Sequence, residues 1–378
     1  MKRNLTIITL SILWFLSYFS PLVWAVSGSV YSVGNDTYGQ LGINPRLPVS
    51  ASINGVVGIA ASYYHSLAVK GDGTVWAWGY NGYGELGDGT TVDRSTPVQV
   101  SDLTGVVGIA AGGFYSLAVK GDGTVWAWGY NDSGQLGDGT TTNRSTPVQV
   151  SDLTGVVGIT AGGFHGLAVK GDGTVWAWGQ NDFGQLGDET TTNRSTPVQV
   201  SGLTGVVRIA AGYYHSLAVK GDDTVWAWGY NGYGQLGDGT TTDRSTPAQV
   251  LGLTGVVRIA TGGFHSLAVK GDDTVWSWGY NGYGQLGDGT TTDHSMPVQV
   301  SGLTGVVGIA AGYYHGLAIK ILSGDCDDDG NVTAADLLIV LNSMDKSTGE
   351  VDYDGRANLD GDGSISSTDL AIVLDNME

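Results

Sequence analysis

Cysteine is nearly absent. Cys326 is the only one in 378 residues, so no intrachain disulfide can form. Basic residues are also scarce, with 17 Lys and Arg against 36 Asp and Glu, a net charge of −19. An acidic surface repels phosphate backbones, which argues against a nucleic-acid partner. The 63 glycines follow no three-residue period, so the chain is not collagen-like and they point to tight turns. An aromatic content of 10% argues against disorder, because so many rings need burial. No unique nucleophile–base group or carboxylate pair stands out, so the chain leans away from being an enzyme.

The acid is unevenly spread. Residues 321–378 carry fourteen Asp and Glu against two Lys and Arg, while 26–320 carry 22 against 13. Dense acid in a short tail points to cation binding or to disorder. The N-terminus reads as an export signal over 1–25: Lys2 and Arg3, an apolar run from Leu5 to Phe19, then Val23 and Ala25 at the positions read by a peptidase. An uncleaved membrane anchor is the alternative, since the run is nearly long enough to span. With cleavage after Ala25 the expectation is a secreted chain with no membrane span.

Self-similarity dominates the middle of the chain. The unit Gly55 to Thr104 recurs from Gly105, Gly155, Gly205 and Gly255, and a partial copy runs from Gly305 to Lys320. Ser29 to Gly34 (SVYSVG) matches Thr74 to Gly79, and Gly39 to Gly42 matches Gly84 to Gly87. Each copy offers four short strands: in the first, Val56 to Ala60, His65 to Lys70, Thr74 to Trp78 and Pro97 to Val100. The second and third show little alternation, as strands buried on both faces do. About four strands in a ~40–50-residue period predict an all-β propeller with four antiparallel strands per blade, over 26–322. Six sets of strands predict six blades. The half-repeats at the two ends are expected to join, residues 29–34 beside 305–320, and so close the ring.

These phrases, HSLAVKGDGTVWAWGYN and GQLGDGT, resemble the repeat of the regulator-of-chromosome-condensation family, over about 26–320. The resemblance implies a propeller, commonly of seven blades, so seven remains possible. Nuclear members of the family promote nucleotide exchange on a small GTPase, a role that an acidic, exported chain makes improbable. Secreted bacterial propellers with similar repeats include β-lactamase inhibitors, which gives extracellular protein binding a precedent.

Within the repeats His65, His165, His215, His265 and His315 invite a catalytic or metal reading, but one position repeated around a ring is better read as structural. Trp76, Trp78 and their copies read as core. Asp88 and its copies read as turn residues. Three variable sets are candidates for recognition. They are Tyr63-Tyr64, Phe114-Tyr115, Gly163-Phe164 and Tyr213-Tyr214; Tyr38, Tyr83, Ser133, Phe183, Tyr233 and Tyr283; and Arg94, Arg144, Arg194, Arg244 and His294. Tyr83, Phe183, Tyr233 and Tyr283 are the proposed contacts for a protein or polysaccharide ligand; aromatics that merely cap the blade ends are the competing reading.

The tail, 323–378, holds two loops of one pattern. Oxygen-bearing side chains stand at positions 1, 3, 5, 9 and 12, with a glycine at 6. The ligands for two Ca²⁺ ions would be Asp325, Asp327, Asp329, Asn331 (through its carbonyl), Thr333 and Asp336, then Asn358, Asp360, Asp362, Ser364 (through its carbonyl), Ser366 and Asp369. Apolar runs after each loop predict paired helices. The paired loops resemble a type I dockerin over about 324–378, with Asp336 and Asp369 at position 12. That resemblance implies calcium-dependent docking to a cohesin on a scaffold protein, in the setting of polysaccharide degradation. Positions 10 and 11, which help choose the cohesin, are Ala334-Ala335 in the first loop and Ser367-Thr368 in the second. Three functions stay open: a recognition propeller tethered by the dockerin, a free secreted binding protein (an inhibitor or adhesin) with a calcium-stabilised cap, and, less favoured, a glycan-active enzyme.

Overall fold

The computed structural model describes residues 28–32 and 49–320, with side chains from 53 to 319. The proposed signal segment and both calcium loops lie outside the described residues. The chain divides into two compact units. Of the described residues, the first unit contains all those up to 302 together with 309–317, and the second contains 303–308 and 318–320.

The first repeat folds into the four expected strands, though the first begins seven residues and the fourth three residues earlier than expected. Strands β2 (Val49–Ala61), β3 (His65–Lys70), β4 (Val75–Gly79) and β5 (Arg94–Gln99) form an antiparallel sheet in sequence order. The next four sheets repeat it: β6 to β9 (106–149), β10 to β13 (156–199), β14 to β17 (206–249) and β18 to β21 (256–299). The last copy supplies only β22 (Val306–Ala311) and β23 (Gly316–Lys320), a two-stranded sheet. The described residues therefore make five full blades and part of a sixth.

One expectation fails. Of residues 29–34, the described ones belong to β1 (Gly28–Ser32), which pairs with β2 in the register Tyr31↔Ser50 and Ser32↔Val49, not with 305–320. The reason is local. The two strands are close in sequence, so little loop entropy opposes their pairing. In the sequence, Val33 also stands where the full copies carry Trp78.

The core lies between blades. Leu67, Val69, Val75, Ala77, Leu86, Val100 and Leu103 of one blade enclose Ala118 and Trp128 of the next, and the later blades repeat the arrangement. This accounts for the missing alternation in β3 and β4, whose residues are buried on both faces. Trp128, Trp178, Trp228 and Trp278 are fully buried, and each indole donates to the carbonyl of residue 85, 135, 185 or 235 in the preceding blade. Trp76 and its copies are only partly buried, each capped by a lysine such as Lys70, 5.1 Å from the ring centre.

A second clasp involves the histidines. His65 Nε2 lies 2.9 Å from Ser116 Oγ in the next blade, and that hydroxyl donates its one proton to Glu85 O. The imidazole therefore donates at Nε2, and Nδ1 accepts from Ser62 Oγ at 2.9 Å. His165–Ser216 and His215–Ser266 repeat the bond. Burial pushes His65, His165 and His215 down to about 3, so all three are neutral struts at physiological pH, as the structural reading required. Tyr115 takes the histidine place in the second blade, and its hydroxyl donates to His165 O in the next.

Candidate functional site

The loops after β2 and after β4 lie at the same end of each blade, and what they hold there is mostly aromatic. The longer loop, 80–93, is rigid because a buried side chain organises it. Asn81 Oδ1 accepts from Leu86 N, and its Nδ2 donates to Thr90 O and Val92 O. Asp93 accepts from Asn81 N at 2.8 Å. Gly84, at φ +92°, passes so close to the next blade that a Cβ there would sit 2.5 Å from Ser145 Cα. Residue 85 reaches back to fix residue 83, with Tyr83 N donating to Glu85 Oε2 and Ser133, Phe183, Tyr233 and Tyr283 held in the same way by glutamines.

The arginine set corrects one expectation. Arg94, Arg144, Arg194 and Arg244 each pair with the aspartate six residues back, at 2.7–2.8 Å, and His294 pairs with Asp288. That aspartate also accepts from Thr90 N and Thr90 Oγ1 or their copies, so each guanidinium is spent inside its own loop. The variation at this position is not free recognition chemistry.

The two aromatic sets, by contrast, converge. Seventeen Tyr and Phe rings form one unbroken network, with neighbouring centroids 4.5–6.5 Å apart. Every tyrosine and phenylalanine between 53 and 319 belongs to it except Tyr115. The rings are concentric. Tyr64, Phe114, Phe164, Tyr214, Phe264 and Tyr314, one per blade, surround the axis; Tyr64 stacks on Phe114 at 4.9 Å and 18°. Outside them, residue 83 of one blade meets residue 80 of the next: Tyr83–Tyr130 at 4.9 Å, Phe183–Tyr230 at 5.0 Å and Tyr233–Tyr280 at 4.9 Å. The four residues singled out from the sequence all lie in this outer ring, with Tyr283 70% and Tyr83 37% exposed and Phe183 and Tyr233 half-buried.

Sequence reasoning missed the innermost ring. The six equivalent positions read Tyr63, Gly113, Gly163, Tyr213, Gly263 and Tyr313. The two-residue grouping of Phe114 with Tyr115 hid this, since Tyr115 belongs with the histidines. Three tyrosines meet over the axis, Tyr63–Tyr313 at 5.1 Å and Tyr213–Tyr313 at 5.3 Å. The glycines make room: a Cβ on Gly163 would lie 2.8 Å from the Tyr213 ring, and one on Gly263 2.7 Å from Tyr313. Beside them is a cavity of about 810 Å³ lined by the inner strands, largely alanine and glycine such as Ala111, Gly112, Ala161 and Gly162. Burial pushes Tyr213 up to about 12, and burial with neighbouring phenols raises Tyr63 and Tyr313 further, so all three present neutral hydroxyls. A signal for this ring was present in the alternation of Tyr and Gly at one repeat position.

Among the described residues no group of His, Cys, Asp or Glu is arranged to hold a metal, and no helix is long and apolar enough to cross a membrane. The sequence-predicted ligands Asp325 to Asp336 and Asn358 to Asp369, and the docking positions Ala334, Ala335, Ser367 and Thr368, lie outside the described residues.

Comparison with known proteins agrees with this architecture. Residues 19–205 match the RCC1-like domain, and 222–269 and 272–319 match the regulator of chromosome condensation (RCC1) repeat. Residues 323–377 match the dockerin type I domain, a calcium-binding domain whose partners are of the cohesin type. The chain is 34% identical over 81 residues to the ultraviolet-B receptor UVR8 of Arabidopsis thaliana, spanning 20% of this chain and 18% of that protein. It is 34% identical over 87 residues to the probable E3 ubiquitin-protein ligase HERC3 of Homo sapiens, spanning 21% of this chain and 8% of the ligase. The matches thus cover under a fifth of these relatives. Human WBSCR16 superposes with a TM-score of 0.69 at 27% identity, covering 76% of this chain and 80% of that one. Yeast RCC1 (Prp20), in its complex with Kap60, gives 0.70 at 23% identity, covering 85% and 82%, and shares the fold. The chain belongs to the regulator of chromosome condensation (RCC1) repeat family and carries a type I dockerin domain at its C-terminal end.

Proposed function

We propose that this is a secreted, non-catalytic recognition module: the aromatic face of the propeller holds a ligand while the dockerin fastens the module to a cohesin-bearing extracellular assembly that degrades polysaccharide. One observation carries the reading. The seventeen-ring network gathers on one face nearly every tyrosine and phenylalanine of the described repeats, four of them more than a third exposed. An exposed aromatic patch of that size marks an interaction surface. The arginines that might have done chemistry there are tied up in ion pairs, and His65, His165 and His215 are buried and neutral. Residues 1–25 would direct export. Two calcium ions, on Asp325 to Asp336 and Asn358 to Asp369, would shape the docking surface presented by Ser367 and Thr368.

The test is a sedimentation assay of the full chain, loaded with calcium, against insoluble polysaccharides and against cohesin-coated beads. Co-sedimentation with a polysaccharide should be lost when Tyr83, Phe183, Tyr233 and Tyr283 are together changed to Ser, while bead capture persists and is abolished by chelator. Unchanged polysaccharide binding by that variant would remove the aromatic face from the reading. Bead capture insensitive to chelator would remove the dockerin from it.

A further inference from the structure

At the centre of the aromatic face the six-fold order breaks. Residue 63 and its copies are tyrosine in the first, fourth and sixth blades and glycine in the second, third and fifth. Each ring leans toward the blade before it: Tyr213 over Gly163, Tyr313 over Gly263 and Tyr63 against Tyr313. At Gly113 the pattern stops, and the three atoms nearest a Cβ placed there all belong to the backbone of Gly163. The collar of tyrosines thus has its gap at the second blade. These same tyrosines and glycines line the cavity of about 810 Å³.

The walls offer nothing to a charged guest. Among the described residues that line the cavity there is no Lys, Arg, Asp or Glu, and His315 is the one ionisable group besides the phenols. Residue 61 and its copies contribute alanine in five blades and Thr261 in the fifth. Residue 62, serine in the first blade and glycine in the others, donates its N–H to the carbonyl three residues on in all six. The N–H groups of Gly113, Gly163 and Gly263 donate to the following blade at 3.1–3.2 Å. Water finds few partners on such a wall, so an uncharged guest displaces it at little cost. At the mouth the phenol rings already meet edge to face, Tyr63–Tyr313 at 75° and Tyr213–Tyr313 at 85°, a geometry that one more aromatic ring extends. A cavity of roughly 150 Å³ is enough for a benzene ring, so this one has room for a substituted ring and its linkage. Resting on the binding role proposed for this face, we infer that the axial cavity holds an uncharged aromatic ester. Its source is either a substituent of the polysaccharide, whose sugar rings lie on the outer aromatics, or a free small molecule.

The experiment is calorimetry on the full calcium-loaded chain at neutral pH. The titrants are a xylan oligosaccharide bearing one ferulate ester, the same oligosaccharide freed of the ester, the same carrying acetate in its place, and methyl ferulate. The inference expects the feruloylated chain to bind at least about tenfold more tightly than the bare and acetylated ones. Thr261→Phe puts a ring inside the cavity and leaves the outer aromatics in place. It should cancel that advantage and abolish methyl ferulate binding, with the bare oligosaccharide bound as before. Ala111→Leu, a smaller plug from the second blade, serves should the larger ring unfold the protein, and an unchanged near-ultraviolet spectrum certifies either fold. Equal binding of the three chains, an advantage that survives a folded plug, or no binding of either ferulate ester overturns the inference. If equal binding is lost in the Tyr83, Phe183, Tyr233 and Tyr283 variant, the outer face stands without the cavity. An acetylated chain that matches the feruloylated one overturns the aromatic assignment. Methyl ferulate binding that a plug abolishes, with no chain bound, assigns the cavity to a free aromatic ester and takes the polysaccharide out of the reading.

Discussion

The space between blades and the face at the end of the blades use the same five repeats to opposite ends. In the packing between blades and in the framework of each loop, the copies agree. Asn81, Leu86, Asp88 and Trp78 recur unchanged in every full repeat, and each makes the bonds or fills the volume its copies do, apart from the indole of Trp78, whose Nε1 has no partner among the described residues. On the face, the copies disagree: positions 63, 80, 82 and 83 change from blade to blade, and all of them lie in or beside the aromatic network. One chain thus contains its own comparison. What is constant answers to packing, which is the same at every junction; what varies is released from packing and open to recognition.

The comparison is broken most forcibly at a constant position. Trp128 is fully buried, and its indole donates to Glu85 O in the blade before it. Trp128→Ala removes the ring and the bond together, and should lower the free energy of unfolding by about 3–5 kcal/mol in urea denaturation. Tyr233→Ser, on the face, should cost far less. Comparable losses would mean that the face is core after all.

A constant position with one exception sharpens the contrast. Residue 85 is glutamine in the later full copies and glutamate in the first. Glu85 is buried, its Oε1 has no partner among the described residues, and burial pushes its carboxyl up to about 7. Because the folded state holds the proton more tightly than the unfolded one, its stability should be fullest below about pH 4.5 and should fall as pH rises toward 7. Glu85→Gln should remove that slope, matching the parent at pH 4 and exceeding it at pH 8 by on the order of 2–3 kcal/mol. Parallel pH profiles for the two proteins would refute the buried charge.

Much of this was legible because the repeat is long and nearly exact. Strands β3 and β4 could be bounded to within a residue from their unbroken apolar runs and the Gly-Asp-Gly turn between them. The role of the histidines followed from arithmetic, since equivalent groups on a ring do not converge. Two features were not legible, for one physical reason: both depend on which side chains the folded turns and blades bring together. The arginines looked free until Asp88 and Arg94, six apart with a turn between them, proved to be partners. The ring of Tyr63, Tyr213 and Tyr313 depends on neighbours fifty residues away being glycine. The pairing of β1 with β2 shows the converse, because likeness to a repeat did not outweigh a nearby partner.

The smallest effect separates structure from recognition at the arginines. Arg144 is 36% exposed and donates from Nε and an NH2 group to Asp138 Oδ2, at 3.0 and 2.8 Å. Asp138 keeps its bonds to Thr140 N and Thr140 Oγ1 when the guanidinium is gone, so its charge is not stranded. Its carboxyl is lowered despite burial by those threonine bonds as well as by Arg144. A pair whose guanidinium is exposed, over a carboxylate that keeps its threonine bonds, contributes up to about 1 kcal/mol and is screened by salt. Arg144→Gln should therefore lower stability by no more than that amount, less still in high salt, and should leave capture of a neutral polysaccharide unchanged. If capture fell by an order of magnitude while stability held, the guanidinium would be touching the ligand and the variable arginine set would return to the recognition surface.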